Sequence, residues 1–214
     1  MSKINVDTWE PESGTAATLM ASGDTVTVPS GAELDIASGA TLDVNGTIDL
    51  TGAIKTGFPA GGLTTASQWR LTTDFTGDAA PIASNLEEAD APVGFGVLGD
   101  SMTESSGIFT FPSSGYYLIR FHAYFLANTN SVYNRIKIQT TTDDSTYAVA
   151  CIISGAAGAA NQEQGISTEY IFDVTDTTQC KCRFDVDVNA VGVTTKGDTD
   201  QNETFMTFTK LADT

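Results

Sequence analysis

From Tyr116 to Phe125 the residues fall into two interleaved sets. Tyr117, Ile119, Phe121, Ala123 and Phe125 share one parity, and all are apolar. Side chains of a strand alternate between its two faces, so this parity faces a core. The other parity holds Tyr116, Leu118, Arg120, His122 and Tyr124. That set is too aromatic for a face that meets only water. The pattern predicts a strand covered on both sides, by a core on one and by another copy of the chain on the other. The candidates for contact between copies are Tyr116, Leu118, His122 and Tyr124, joined by Phe205 and Phe208 near the C-terminus.

The same two-residue period recurs along the C-terminal two thirds of the chain. A turn signal, Pro112-Ser-Ser-Gly115, separates Phe109-Thr-Phe111 from the long run and marks a connection between strands. Gln68-Trp-Arg-Leu-Thr72 reads as an early strand. Asn134–Gln139 alternates with Ile136 and Ile138 inward, and Tyr170, Phe172 and Val174 repeat the pattern. Cys180 and Cys182 share parity with Phe184, Val186 and Val188, while Lys181, Arg183, Asp185 and Asp187 alternate with them. These cysteines are expected in the core, as small hydrophobes. Residues 74–92 are acidic and rich in Ala and Pro, which predicts a long surface loop; the small residues 155–160 predict another. No helical periodicity of useful length occurs, so the chain is expected to be all-β.

Residues 22–52 form an internal repeat of a different kind. Three eight-residue units open on Ser-Gly at Ser22, Ser30 and Ser38, and a shortened one follows from Gly46. Each places two apolar residues on a short strand: Val26 and Val28, Leu34 and Ile36, Leu42 and Val44, Ile48 and Leu50. One such strand per unit cannot enclose a core, and repeat architectures bury their faces against neighbours. At roughly twenty residues per coil the segment supplies fewer than two coils alone. Three chains winding together would offer three apolar faces at every level. The expected organisation is therefore a docking segment over 1–21, a short trimeric β-stem of octad repeats over 22–57, a Gly/Pro-rich linker over 58–66 and a head over 67–214. Within the docking segment Trp9, Glu10 and Pro11 are the candidate anchor. The alternative for the repeat is a flat hairpin array packed on the head.

Two sets of residues carry resemblances to known families. Gly107-Ile-Phe-Thr-Phe-Pro112, Gly115-Tyr-Tyr117 and Phe121-His-Ala123 resemble the core motif of the globular head of the first complement component. Asn202–Asp213 resembles that family's closing strand more weakly. The resemblance covers about residues 67–214 and implies the jelly roll that this family shares with the tumour necrosis factors: a ten-stranded antiparallel sandwich that assembles as a trimer. It implies no function. The opening Ser2–Pro11 resembles the N-terminal tags of bacteriophage virion proteins.

Charge and candidate chemistry narrow the function. With 27 acidic and 10 basic residues the formal charge is −17. That repels phosphate backbones and anionic bilayers, so nucleic acid is not an expected partner. No apolar run is long enough to span a bilayer, so no membrane insertion is expected. The N-terminus has no apolar signal segment, which suggests folding in the cytosol where the chain is made. Val97–Glu104, with Gly-Asp-Ser-Met-Thr at 99–103, resembles the nucleophile block of the Gly-Asp-Ser lipases and esterases, with Ser101 as nucleophile. That family's late Asp-x-x-His base is missing: the sole histidine, His122, follows Ile119 at that spacing. Nor is there a Gly-x-Asn-Asp oxyanion block. Three cysteines make no disulfide framework, and Cys180-x-Cys182 lacks further metal ligands. Asp143-Asp144 and Asp198-Thr-Asp200 lack the spacing of a known calcium loop and read as turn carboxylates. No cofactor or metal is expected.

The sequence thus points to a non-enzymatic homotrimeric appendage of a virion, assembled in the host cytoplasm. It is expected to decorate a capsid, or serve as a short head or tail fibre, docking on other virion proteins through its N-terminus. Its head would adhere to a host-surface receptor or glycan. The alternatives are a soluble trimeric ligand-like protein and, on the Ser101 motif, a Gly-Asp-Ser esterase.

Overall fold

The computed structural model describes residues 63–94 and 96–214. The candidate anchor Trp9, Glu10 and Pro11, the stem core from Val26 to Leu50 and most of the linker lie outside these residues.

Twelve strands and no helix make up the described residues. In chain order they are β1 (Ala66–Leu71), β2 (Phe75–Thr76), β3 (Leu86–Glu88) and β4 (Thr103–Ser105). Next come β5 (Ile108–Thr110), β6 (Gly115–Ala127), β7 (Ser131–Thr141) and β8 (Ala148–Ala157). The last four are β9 (Gln162–Val174), β10 (Lys181–Val188), β11 (Val193–Thr195) and β12 (Phe205–Ala212). Every pairing is antiparallel. A seven-stranded sheet runs β2-β11-β6-β12-β1-β3, with β9 on the other edge of β6; a five-stranded sheet runs β4-β5-β10-β7-β8. The expected all-β jelly-roll sandwich is what forms, with short additional strands beyond the ten that the resemblance implies.

The core lies between the inward parities of the two sheets. From β6, Tyr117, Ile119, Phe121, Ala123 and Phe125 are all fully buried, and Ile136 and Ile138 meet them from β7. Phe109 packs edge-on against Trp69 (5.5 Å) and Phe184 (5.4 Å) and lies 5.2 Å from Phe208. Such offset and edge-to-face pairs add to the burial of aromatic area. Cys180 and Cys182 are buried with this set, as their parity requires, and burial pushes the Cys182 thiol far up.

The turn at Pro112–Gly115 carries the chain from one sheet to the other. The Tyr117 hydroxyl donates to the Ser113 carbonyl at 3.2 Å, and Lys210 Nζ donates to Ser113 Oγ at 3.1 Å. Gly115 has φ of +141°, and a Cβ there would stand 2.5 Å from the Ala212 carbonyl oxygen. Only glycine fits this close approach of two backbones. β12 shifts register between Lys210 and Ala212, at the same point.

Three expectations are corrected. Residues 74–92 are not simply a surface loop: they contribute β2 and β3, and Ala79 and Ile82 donate to Val186 and Phe184 of β10 at 2.9 Å. Pairings this short leave no two-residue period to read. The small-residue segment 155–160 is strand as far as Ala157, because Gly and Ala pack where β8 passes β9. Phe208, placed among the contact candidates, is fully buried in the core. Phe205 and Phe208 are three apart, so on a strand they point to opposite faces.

Candidate functional site

The outward face of the seven-stranded sheet gathers the remaining contact candidates. Register sets its rows. Leu118 lies between Ile171 of β9 and Thr209 of β12; Arg120 lies between Glu169 and Thr207; His122 lies between Ser167 and Phe205. Tyr116 is 40% exposed, Ile171 57% and Leu211 44%, whereas Leu118, His122, Tyr124 and Phe205 are half-buried. Scattered exposed apolar residues are ordinary, but a contiguous apolar face is a mark of an interaction surface.

His122 sits at the middle of this face. Its Nδ1 is 2.7 Å from Ser167 Oγ, and its ring lies against Phe205 at 5.1 Å between centroids. Gly165, next on β9, leaves room for the ring: a Cβ there would be 3.2 Å from His122 Cε1. Burial holds the imidazole below its ordinary pKa of 6.5. Beside it Arg120 Nη2 pairs with Glu169 Oε2 at 3.0 Å. Arg120, Ser167, Thr168, Glu169 and Phe205 line a shallow recess of about 290 Å³. At the far side Arg70, on β1 opposite Phe205, is fully buried, bonded to Glu87 and Asp90 and donating to the Ala91 carbonyl at 2.9 Å.

The five-stranded sheet presents a different outward face. Asp187 pairs with Lys137 at 3.2 Å and Arg135 at 3.8 Å. The Arg135 and Arg183 guanidinium groups lie over the Tyr133 and Tyr147 rings at 3.8 and 4.2 Å. Arg183 donates to Gln139, which donates on to Asp185. These charges are matched within one chain. The edge strand β8 departs from this, with Val149 51%, Ile152 52% and Ile153 37% exposed, as does Val132 at the start of β7.

Other candidate residues are placed as follows. Ser101 follows a bend at Gly99 and Asp100 and precedes β4, its hydroxyl buried without a hydrogen-bond partner among the described residues, while His122 Nδ1 is engaged by Ser167. Asp143 Oδ1 accepts from the Ser145 and Thr146 amides at 3.0 and 2.7 Å, and Asp198 Oδ1 from the Asp200 and Gln201 amides at 2.6 and 3.1 Å. Both carboxylates close turns, and these bonds hold both below the ordinary carboxylate value. Sequence reasoning did not single out Gly165, Ser167 or Ile171. Their parity on β9 also holds Glu163, Glu169 and Asp173, so it reads as an ordinary solvated face. Ile171 was the only available signal.

No protein-family model matches the chain, and no curated protein matches its sequence. Solved structures resemble its fold. The Eiger TNF of S. frugiperda is 15% identical with a TM-score of 0.52, over 72% of this chain and 96% of that one. Murine APRIL at pH 5.0 is 9% identical with a TM-score of 0.51, over 69% of this chain and 98% of that one. At these identities the likeness is one of architecture: the described residues form a jelly roll of the tumour necrosis factor type.

Proposed function

We propose that the chain is a non-enzymatic homotrimeric surface protein of a virion, docked by its N-terminal segment and presenting the jelly-roll head to a host surface. The trimer rests on one observation, the unequal character of the two outward sheet faces. One sets apolar and aromatic side chains, Tyr116, Leu118, His122 and Phe205, around the Arg120–Glu169 ion pair; the other is covered by matched charges. The second exposed apolar element, the β8 edge, is a different surface. Burying a face of one copy against the edge of the next is a heterologous contact, which generates a ring where the rotation between copies closes. A threefold ring agrees with the jelly-roll resemblance. The virion placement is supported by the opening Ser2–Pro11 and by the order of anchor, stem and head in the sequence. Three sites on each trimer and many trimers on a particle would raise weak contacts into avid adhesion.

The test is the solution mass of the full chain by light scattering, beside Leu118→Asp and a control, Val132→Asp, whose parent valine is 72% exposed off this face. A trimeric parent and control with a monomeric, folded Leu118→Asp supports the reading; a monomeric parent removes it. Deleting residues 1–21 should then abolish co-sedimentation with purified particles while leaving the trimer intact. A full-length trimer that never co-sediments favours the second reading, a soluble ligand-like protein.

A further inference from the structure

We infer that protonation of His122 at the contact face opens the trimer as the pH falls below neutrality. The inference rests on the homotrimer reading and adds a regulation to that same face.

The geometry leaves an imidazolium poorly served. Its ring is sandwiched by Phe205 on β12 and the side-chain-free Gly165 on β9, with one nitrogen on the Ser167 hydroxyl. Nε2 has no hydrogen-bond partner among the described residues. A second copy lying on this face removes the water that still reaches the ring. A charged ring must then be buried, which is costly without a carboxylate to meet it.

The surrounding charges do not provide that carboxylate within one chain. On β6 the neighbour along the face is Arg120, itself a cation, and the Glu169 of β9 that could compensate is already paired with it. Glu163 of β9 and Glu203 ahead of β12 act on Tyr124 at the next row, together with Lys196. On β1, Arg70 is neutralised by Glu87 and Asp90. Burial already lowers the His122 pKa in the single chain, and a covering copy lowers it further. A group whose pKa is lower in the assembled state contributes stability above its value in the free monomer, which itself lies below 6.5, and that stability is lost as the pH falls through the window beneath it.

Threefold symmetry sharpens the response. Three copies of His122 take up protons together on dissociation, so the trimerisation constant falls by up to about 1,000-fold per pH unit within that window. His122 is the only histidine in the sequence, so no other imidazole can mimic the effect.

The experiment follows the mass of the full chain by sedimentation from pH 8 to pH 5, with circular dichroism reporting whether the jelly roll stays folded. The ring titration is read by NMR in the same samples, where one histidine gives one assignable signal. The expected result is a trimer at pH 8 that separates into folded monomers below pH 6.5. His122→Gln, which keeps a bond to Ser167 but carries no charge, should stay trimeric throughout. A wild-type trimer unchanged to pH 5, a variant that dissociates over the same pH range, or a ring that titrates above 6.5 each overturns the switch while leaving the trimer standing. A monomer at pH 8 overturns the trimer and the switch with it.

Discussion

Asn134 on β7 donates from Nδ2 to Oε1 of Gln164 on β9 at 2.8 Å, bonding the five-stranded sheet directly to the seven-stranded one. The Ser131 hydroxyl donates to Asn134 Oδ1 at 2.8 Å, and Gln164 Nε2 donates to the Ala156 carbonyl at 3.0 Å. Ser131 and Asn134 are fully buried. Polar groups lying between two sheets are tolerated only when their bonds are made. Asn134→Ala strips partners from both neighbours and should cost about 2–3 kcal/mol in urea denaturation. A loss below about 0.5 kcal/mol would mean that the sheets do not depend on this bridge.

Phe205 and Phe208 sit three residues apart on β12 and should answer oppositely to truncation. Phe208 touches Phe109, Phe111 and Phe184 in the core. Phe208→Ala should therefore cost about 3–5 kcal/mol of protomer stability. Phe205→Ala should change protomer stability by no more than about 1 kcal/mol, since the ring is outward. It should instead weaken association, seen as a rise in the concentration at which trimers form. Equal destabilisation by the two would contradict the parity of β12.

Arg70 tests how the loop before β4 is held down. Its guanidinium is sealed from solvent, whereas Glu87 and Asp90 remain 35% and 73% exposed. On Arg70→Met those carboxylates can rehydrate, so the expected cost is about 2 kcal/mol rather than that of stranding a buried ion. The Ala91 carbonyl loses its donor at the same time. Residues 85–92 should exchange amide hydrogens faster in this variant while the core strands keep their protection; a loss spread evenly over the head would argue against this role.

Asp185 carries a pH dependence of the opposite sign from a paired carboxylate. Burial raises its pKa, only partly offset by the Gln139 bond and by Arg183 and Lys137. A raised carboxyl pKa costs stability at neutral pH, and that cost fades as protonation sets in on acidification. Asp185→Asn keeps an acceptor for Gln139 without the charge. It should melt higher than the parent at pH 7, with the gain shrinking as pH falls through the raised pKa. A lower melting point at pH 7 would show that Arg183 and Lys137 more than compensate the burial.

Much of the fold was legible because one physical signal repeats. Tyr117 to Phe125, Ile136 to Ile138 and Cys180 to Val188 alternate so regularly that strand, face and core membership follow from parity alone. The outward set on β6 was equally plain, because Tyr116, Leu118 and His122 break the polar pattern a solvated face would show. Phe208 was misplaced because an aromatic near an expected contact strand was assigned by kind rather than by parity. Residues 79–89 escaped because bridges of one to three residues carry no period, although they bury Ile82 and Ala89.

The sequence by itself determined the all-β class, the long central strand and the side of it that meets the core, because side-chain alternation is local and transfer of apolar residues from water is insensitive to chain order. Only the tertiary structure decided which strand lies beside which. That step put Ser167 and Phe205, 45 and 83 residues beyond His122, on either side of its ring. Strand pairing over such separations depends on how the whole sandwich closes, and no window of sequence contains it.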